Sequence, residues 1–317
     1  MSIFIKTFQQ LNKSDIYLAG GKGASLGEMM RAGILIPPGF VVTSLAFDYF
    51  LMETDLNQKI ESQLDNVNYD DVNSLDLASK KIRDLIYEAK LPEDLQCEIL
   101  NEFNDLEVNW VAVRSSATAE DSLVASWAGV LESYLNTDKN HLLCNIKKCW
   151  ASLFTSMAIC YRQKKGLCKT KVSVAVVIQA MIQADVAGIC FTVHPVTKDK
   201  NQMIIEAGYG LGKAIVSGQI TPDSYIINKN NFEIIEINIA KQDKMLVRSF
   251  KSGNKRVEVQ EDKREKQKLS SKQIMELAKI CLKIEKHYGF PCDIEWAMLG
   301  KFKRWKFFIM QIRPVTT

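Results

Sequence analysis

Apolar residues recur along this chain at two spacings, one of a helix and one of a strand. Ala24, Leu26, Met29 and Met30 mark an amphipathic helix that follows a glycine-rich turn, Gly20-Gly21-Lys22-Gly23, and that Gly33 stops. ILIPPGFVV, from Ile34, then reads as a short extended stretch around Pro37-Pro38. Residues 44–105 are helix-rich, with Leu77, Ile82, Leu85 and Ile86 on one face of a segment over 74–90, and with Pro92 in the first turn of the next helix. From Val108 the texture changes. Val108–Arg114 predicts a strand, Ser115–Ser122 (SSATAEDS) a polar loop, and helices resume to about Tyr161. Val172–Met181 and Ala187–Thr192 are β-rich runs on either side of the turn-like Gln183–Asp185, which predicts an antiparallel pair. Strands follow at Met203–Glu206, Asp223–Ile227 and Phe232–Ala240, the first two joined by a loop that begins GYGLG at Gly208. Ile274, Leu277, Ala278, Cys281 and Ile284 make Ser271–Tyr288 an amphipathic helix, and two strands, Cys292–Met298 and Phe307–Arg313, close the chain. Helices mixed with mainly antiparallel strands place the fold in the α+β class.

Composition narrows this further. The chain has 317 residues, 47% apolar and 25% charged, which argues against disorder or a disulfide-rich miniprotein. At ~100–200 residues per domain, the length predicts two domains or lobes. Against 37 acidic side chains the 41 Lys and Arg leave a net charge of +4, too little to point to a nucleic-acid partner. No apolar run reaches the ~18–20 residues that span a bilayer, and the N-terminus lacks the order of a secretory signal. These features predict a cytoplasmic protein without a membrane partner. Eight cysteines are scattered with no C-x-x-C pair, and there are only three histidines, His141, His194 and His287, so structural thiols are expected rather than a zinc site. Residues 241–272 carry eleven basic against five acidic side chains and read as a solvated loop or hairpin.

Some stretches are suited to phosphate chemistry. In Gly20–Gly23 the glycines would let the backbone approach phosphate oxygens and Lys22 would supply a mobile charge, although taken alone the stretch fits a plain turn with a solvated lysine better. VAVRSSA, from Val111, delivers Arg114 beside hydroxyl donors, as a triphosphate requires; an ordinary surface ion pair is the alternative. Asp293 and Glu295 share one strand face, as do Gln311 and Arg313 on the next strand. Two carboxylates and an amide oxygen form the hard-oxygen set that Mg²⁺ prefers, and a cross-strand salt-bridged ladder is the competing explanation. His194 sits in a turn before Pro195, where a structural role outweighs that of a phosphoryl acceptor.

Together, GGKGASLGEM from Gly20, IPPGFVVT from Ile36, VRSSATAED from Val113 with SWAG from Ser126, FTVHPV from Phe191, EAGYGLG from Glu206, PDSY from Pro222, and DIEW from Asp293 with QIRPVT from Gln311 resemble one family. It is the phosphoenolpyruvate synthase family, in the ATP-grasp nucleotide-binding domain of pyruvate, water dikinase and pyruvate, phosphate dikinase. Rifamycin phosphotransferase and plant glucan, water dikinase share that domain. The motifs keep the family's order from residue 20 to the C-terminus.

The resemblance implies a single ATP-grasp domain over 1–317, with lobes near 1–170 and 171–317 and with ATP and Mg²⁺ in the cleft between them. It assigns phosphate contacts to Lys22 and Arg114, and the glycine-rich flap to Gly129 and Ser133. The adenine hinge falls on Gln179, Ala180, Met181 and Ile182, and the ribose-side acid on Glu206. Mg²⁺ ligation falls on Glu295 and Gln311 with Asp293 nearby, and Arg313 becomes their electrostatic partner. The implied reaction transfers phosphoryl from ATP to a histidine on a swivelling domain. Neither the T-S-x-x-x-x-H-A motif of that domain nor an acceptor-substrate domain occurs in this sequence. The partner is therefore expected to be a phosphohistidine-bearing domain, supplied in trans or by a longer polypeptide. An antibiotic kinase of the rifamycin phosphotransferase type, or an ATP sensor without catalysis, are the alternatives.

Overall fold

The computed structural model describes residues 2–118, 132–166, 173–250, 253–301 and 304–315. By its contacts the chain divides into two compact units, Met1–Glu28 with Pro38–Met181, and Met29–Pro37 with Ile182–Thr317.

In the first unit the elements run β1 (Ile5–Thr7), α1 (Ile16–Arg31, whose last residues belong to the second unit), β2 (Gly39–Val42), α2 (Ser44–Glu53), α3 (Leu56–Asp65), α4 (Val72–Glu88) and α5 (Glu93–Asp105). After these come β3 (Val111–Ala117), β4 (Ser133–Thr137), α6 (Lys139–Ala151), α7 (Ser156–Lys164) and β5 (Val174–Ala180). The strands form a five-stranded sheet in the order β1-β2-β5-β3-β4. β5 is central and buried at every position, which is why VAVVIQA is nearly all apolar instead of alternating. One sheet face carries Phe40, Val42, Val113, Val176 and Ile178 into a core with Phe47, Phe50, Ile82, Ile86 and Trp150. The other face receives α1. A methyl group on Gly23 would lie 3.0 Å from Val41 and 3.7 Å from Val177, so this glycine lets the helix sit directly on the sheet. On α4, Leu75, Ala78, Ile82 and Ile86 face the core and Leu77 is exposed, one position off the face expected from sequence.

Elements of the second unit are β6 (Val186–Phe191), β7 (Gln202–Tyr209), α8 (Lys213–Val216), β8 (Asp223–Asn228), β9 (Ile234–Asn238), β10 (Lys244–Arg248), β11 (Asn254–Glu258), α9 (Ser271–Tyr288), β12 (Cys292–Lys301) and β13 (Arg304–Pro314). Six of these strands form a sheet in the order β13-β12-β6-β7-β8-β9, and β10 pairs with β11 as a separate hairpin. α9 buries Ile274, Leu277, Ala278, Cys281 and Ile284. Its ends are written in the sequence: a Ser270/Gln273 capping box opens it, and Gly289, at φ 76°, closes it. The α+β class holds, with antiparallel pairing between all the described neighbours.

One expected pairing does not form. β5 and β6 flank the short Gln183–Asp185 link, yet β5 pairs with β2 and β3 whereas β6 pairs with β12 and β7. The link joins the two units rather than the arms of a hairpin. The lysine-rich segment does contain a hairpin, β10–β11, but it is not solvated throughout: Gln242 and Lys268 are buried.

Candidate functional site

The candidate residues gather into one set in each unit. In the first unit the helical part of α1 starts after Gly20, whose backbone (φ 64°, ψ 173°) breaks the helix. A Cβ on Gly20 would come within 2.2 Å of the Ser116 hydroxyl oxygen, so no other residue fits there. Ser116 Oγ in turn accepts hydrogen bonds from the Lys22 N–H at 3.1 Å and the Gly23 N–H at 3.4 Å. A side chain from β3, ninety-four residues further along, thus caps the helix. Lys22 Nζ donates to the Ser115 carbonyl at 3.0 Å. The Gly20–Gly23 stretch is therefore a helix start rather than a loop, and its glycines at 20 and 23 serve close packing against the sheet.

β3 runs through Ala117, three residues past the strand end expected from sequence, because Ser115 is buried and its hydroxyl donates to the Glu132 carbonyl at 2.6 Å. Alternation along β3 puts Arg114 on the same face as Ser116. Arg114 Nη1 donates to Gln179 Oε1 at 3.4 Å, and Ser133 lies opposite Arg114 on β4. Gln179 is fully buried, and its Nε2 has no hydrogen-bond partner among the described residues. The N–H groups of Ala180 and Met181 are bonded to the carbonyls of Pro38 (2.8 Å) and Trp110 (3.0 Å). Ile182 opens the longer segment of the second unit. Gly129 lies outside the described residues.

The second set lies across the six-stranded sheet. Register places Gln311, Glu295, Ile189 and Glu206 in one row across β13, β12, β6 and β7, all on one face. With adjacent strands ~4.8 Å apart, the backbones of Glu206 and Glu295 are ~10 Å apart. The next row holds Arg313 opposite Asp293, joined by Arg313 Nε to Asp293 Oδ2 at 2.7 Å. Asp293 is 7% exposed and Gln311 8%, and the second carboxylate oxygen of Asp293, Oδ1, is buried without a partner among the described residues. Burial raises the Asp293 pKa; Arg313 opposes the rise, and Glu295 adds to it. Burial, and then Asp293, raises Glu206 likewise. Just past this row, the β12–β13 register shifts between Glu295 and Trp296.

This donor set fits a hard cation in part. It offers an orphaned buried carboxylate oxygen, a second carboxylate and an amide, and burial makes the negative charge costly until a cation arrives. Among the described residues no group of three or more His, Cys, Asp or Glu side chains could hold a metal by itself. The shell would need oxygens from a ligand. The ladder explanation is partly realised too, since Arg313 and Asp293 are an ion pair.

His194 is structural in its contacts: Nδ1 accepts from the N–H groups of Val196 (3.3 Å) and Thr197 (3.1 Å), which fixes the turn. The described cysteines are free thiols, and burial pushes Cys149 up to about 12. Among the described residues no helix is long and apolar enough to cross a membrane. The feature missed from sequence is the cap. Ser116 carried no signal beyond lying in a hydroxyl-rich run, because its partner is distant in the chain.

Comparison with known proteins places the chain in a family. The profile described as pyruvate phosphate dikinase, AMP/ATP-binding domain, matches residues 16–317. A probable phosphoenolpyruvate synthase of Methanocaldococcus jannaschii is 47% identical over 99% of this chain and 27% of its own length. One of the same description from Archaeoglobus fulgidus is 44% identical over 97% of this chain and 41% of its own length. The rifampicin phosphotransferase of Bacillus cereus is 37% identical over 100% of this chain and 36% of its own length. The chain thus spans less than half the length of these relatives. With that match over nearly its whole length, the chain belongs to the pyruvate phosphate dikinase AMP/ATP-binding domain family.

Proposed function

We propose that this chain is the ATP-binding part of a phosphoenolpyruvate synthase-like phosphotransferase, passing a phosphoryl group from Mg-ATP to a histidine on another domain or protein. The observation that carries this reading is the start of α1, where Ser116 of β3 caps the helix at Lys22 and Arg114 shares the strand face of Ser116. The Lys22 and Gly23 N–H groups are held by Ser116, so the suitability for a triphosphate rests on the two cations, a lysine side chain at the helix start and an arginine on the capping strand.

In this reading Lys22 and Arg114 hold and neutralise phosphate oxygens, and Gly129 and Ser133 close over them. Gln179, Ala180, Met181 and Ile182 meet the base. Because the N–H groups of Ala180 and Met181 are already spent, that contact falls to carbonyls and side chains. Glu206 takes the ribose hydroxyls. Glu295, Gln311 and Asp293 would hold Mg²⁺, which when bound supplies charge stabilisation to the transferring group. Arg313 keeps Asp293 oriented and adds positive charge on the same face. Phosphoryl transfer rests on positioning and charge rather than on a protein nucleophile, and the candidates are of that kind. The whole of residues 1–317 would act as one ATP-grasp domain. A phosphoenolpyruvate synthase-like acceptor chemistry is favoured over the antibiotic kinase by the higher identity to the archaeal relatives, 47% and 44% against 37%.

Thermal melts with and without Mg-ATP test this. A ligand that binds only the folded chain, at ~100 times its dissociation constant, adds ~2.7 kcal/mol. Glu295→Gln should remove most of the metal-dependent part of that shift while keeping the ligand-free melting temperature. No shift at millimolar Mg-ATP would overturn the reading.

A further inference from the structure

β9 ends the six-stranded sheet, and among the described residues no strand pairs with its outer side. Natural edge strands are usually blunted by charge, proline or cover, because an open apolar edge invites another strand. Here Ile235, Ile237 and Ile239 are 50%, 40% and 49% exposed. Ile235 has no opposite number on β8, where the register slips between Ile226 and Ile227. The strand's C-terminal end is held in line from within, since the Ala240 N–H donates to Asp223 at 3.0 Å.

The sequence of this edge is complementary to itself in a single register. With two copies antiparallel about Ile237, Ile235 of each faces Ile239 of the other, and Glu236 faces Asn238. Glu233 then faces Lys241, so each end of the pair carries opposite charges. Moving the centre to Glu236 sets two glutamates face to face and Ile239 against Glu233. Moving it to Asn238 sets Ile235 against Lys241. A shift by one residue in either direction sets Ile237 opposite a polar residue, Glu236 or Asn238. Both charged side chains are within reach of a partner: Lys241 is loosely paired with Asp243 at 3.8 Å, with both groups more than half exposed, and Glu233 accepts from Asn231 at the surface.

We propose that β9 is a docking edge for a second copy of this chain, pairing antiparallel with its two-fold axis at Ile237 and joining the two sheets into one. A single pair of short strands is small beside stable interfaces, which bury ~1,200–2,000 Å². The dimer is therefore a concentration-dependent one. The pairing involves none of the candidate nucleotide residues and is tested without nucleotide.

Sedimentation across a concentration series should show a monomer–dimer equilibrium in the native chain. Ile237→Lys brings two lysines together at the axis and should raise the dissociation constant at least ~10-fold, which corresponds to ~1.4 kcal/mol. Glu233→Lys and Lys241→Glu should each weaken the dimer, and the double exchange should restore it. Under mild oxidation Ile237→Cys should give a disulfide that links the two copies at the substituted position, identified by peptide mass, and Ile235→Cys should not give its own homotypic crosslink. A chain monomeric at every concentration, a double exchange without rescue, or equal crosslinking at both positions would each overturn the proposal. Unchanged circular dichroism in each variant assigns the change to the interface, all four positions being at the surface.

Discussion

Ser116 shows how much one side chain can decide. Its hydroxyl is the cap of α1, and its removal would leave the Lys22 and Gly23 N–H groups without their acceptor in a buried place. Ser116→Ala is expected to cost ~0.5–2 kcal/mol in chemical denaturation, and to weaken nucleotide binding more than a surface Ser→Ala such as at Ser62. Equal binding in the two variants would separate the cap from the phosphate site. Glu206 gives the pH dependence. Its pKa is raised in the folded chain, first by burial and then by Asp293. The folded state therefore holds its proton to higher pH than the unfolded state. The resulting stability is complete below the ordinary glutamate range and is lost as pH rises through the raised value. Glu206→Gln should flatten the fall in denaturation midpoint as pH rises above the ordinary glutamate range, leaving the share that Asp293 contributes in the same direction. Parallel profiles for variant and parent would refute this. The residue types at these positions were legible in the sequence. Their surroundings were not, since the partners of Ser116, Asp293 and Glu206 come from other elements.

At the scale of elements, the arm between β9 and α9 is held by a buried ion pair. Lys268 Nζ donates to Asp223 Oδ1 at 2.7 Å, and both side chains are fully buried. Asp223 also accepts from the Tyr225 hydroxyl at 2.8 Å and the Lys268 N–H at 2.9 Å. Gln242 binds both the N–H and the carbonyl of Tyr209, tying the arm to the GYGLG loop. Lys268→Met leaves a buried carboxylate without its countercharge and should cost ~3–5 kcal/mol. Adding Asp223→Asn should recover part of that loss, measured as a denaturation midpoint; an additive double variant would show that the pair is not coupled. The apolar stripe predicts α9 over the residues it occupies, and the capping box and Gly289 that bound it are local features of the same stretch. Lys268 has no such signal. In a run of basic residues it looks as solvated as its neighbours, and only the carboxylate from β8 makes its burial tolerable.

At the scale of the whole molecule, the proposed reading has this chain hold the phosphoryl donor and leaves the carrying histidine to another domain. His194 is locked into its turn by two backbone N–H groups, and Pro195 restricts it further. Incubation with γ- or β-labelled ATP is expected to leave this chain unlabelled, and addition of a histidine-bearing swivel domain should move label to that domain. Acid-labile label on His194 would contradict this.

What the sequence determines by itself is local or periodic: the α+β class, most elements, the ends of α9 and the face shared by Asp293 and Glu295. The ordered motifs add the family, which the match over residues 16–317 bears out. Choosing neighbours was left to tertiary structure. β5 and β6 are both apolar and separated by a turn-like link, so alternation alone reads them as a hairpin; each instead finds partners far away in the chain. That choice puts Arg114 beside Gln179, seats α1 on Ser116, aligns Glu206 with Glu295 and leaves β9 at an edge. Backbone pairing is nearly blind to sequence, and long-range burial selects among the pairings that local pattern allows.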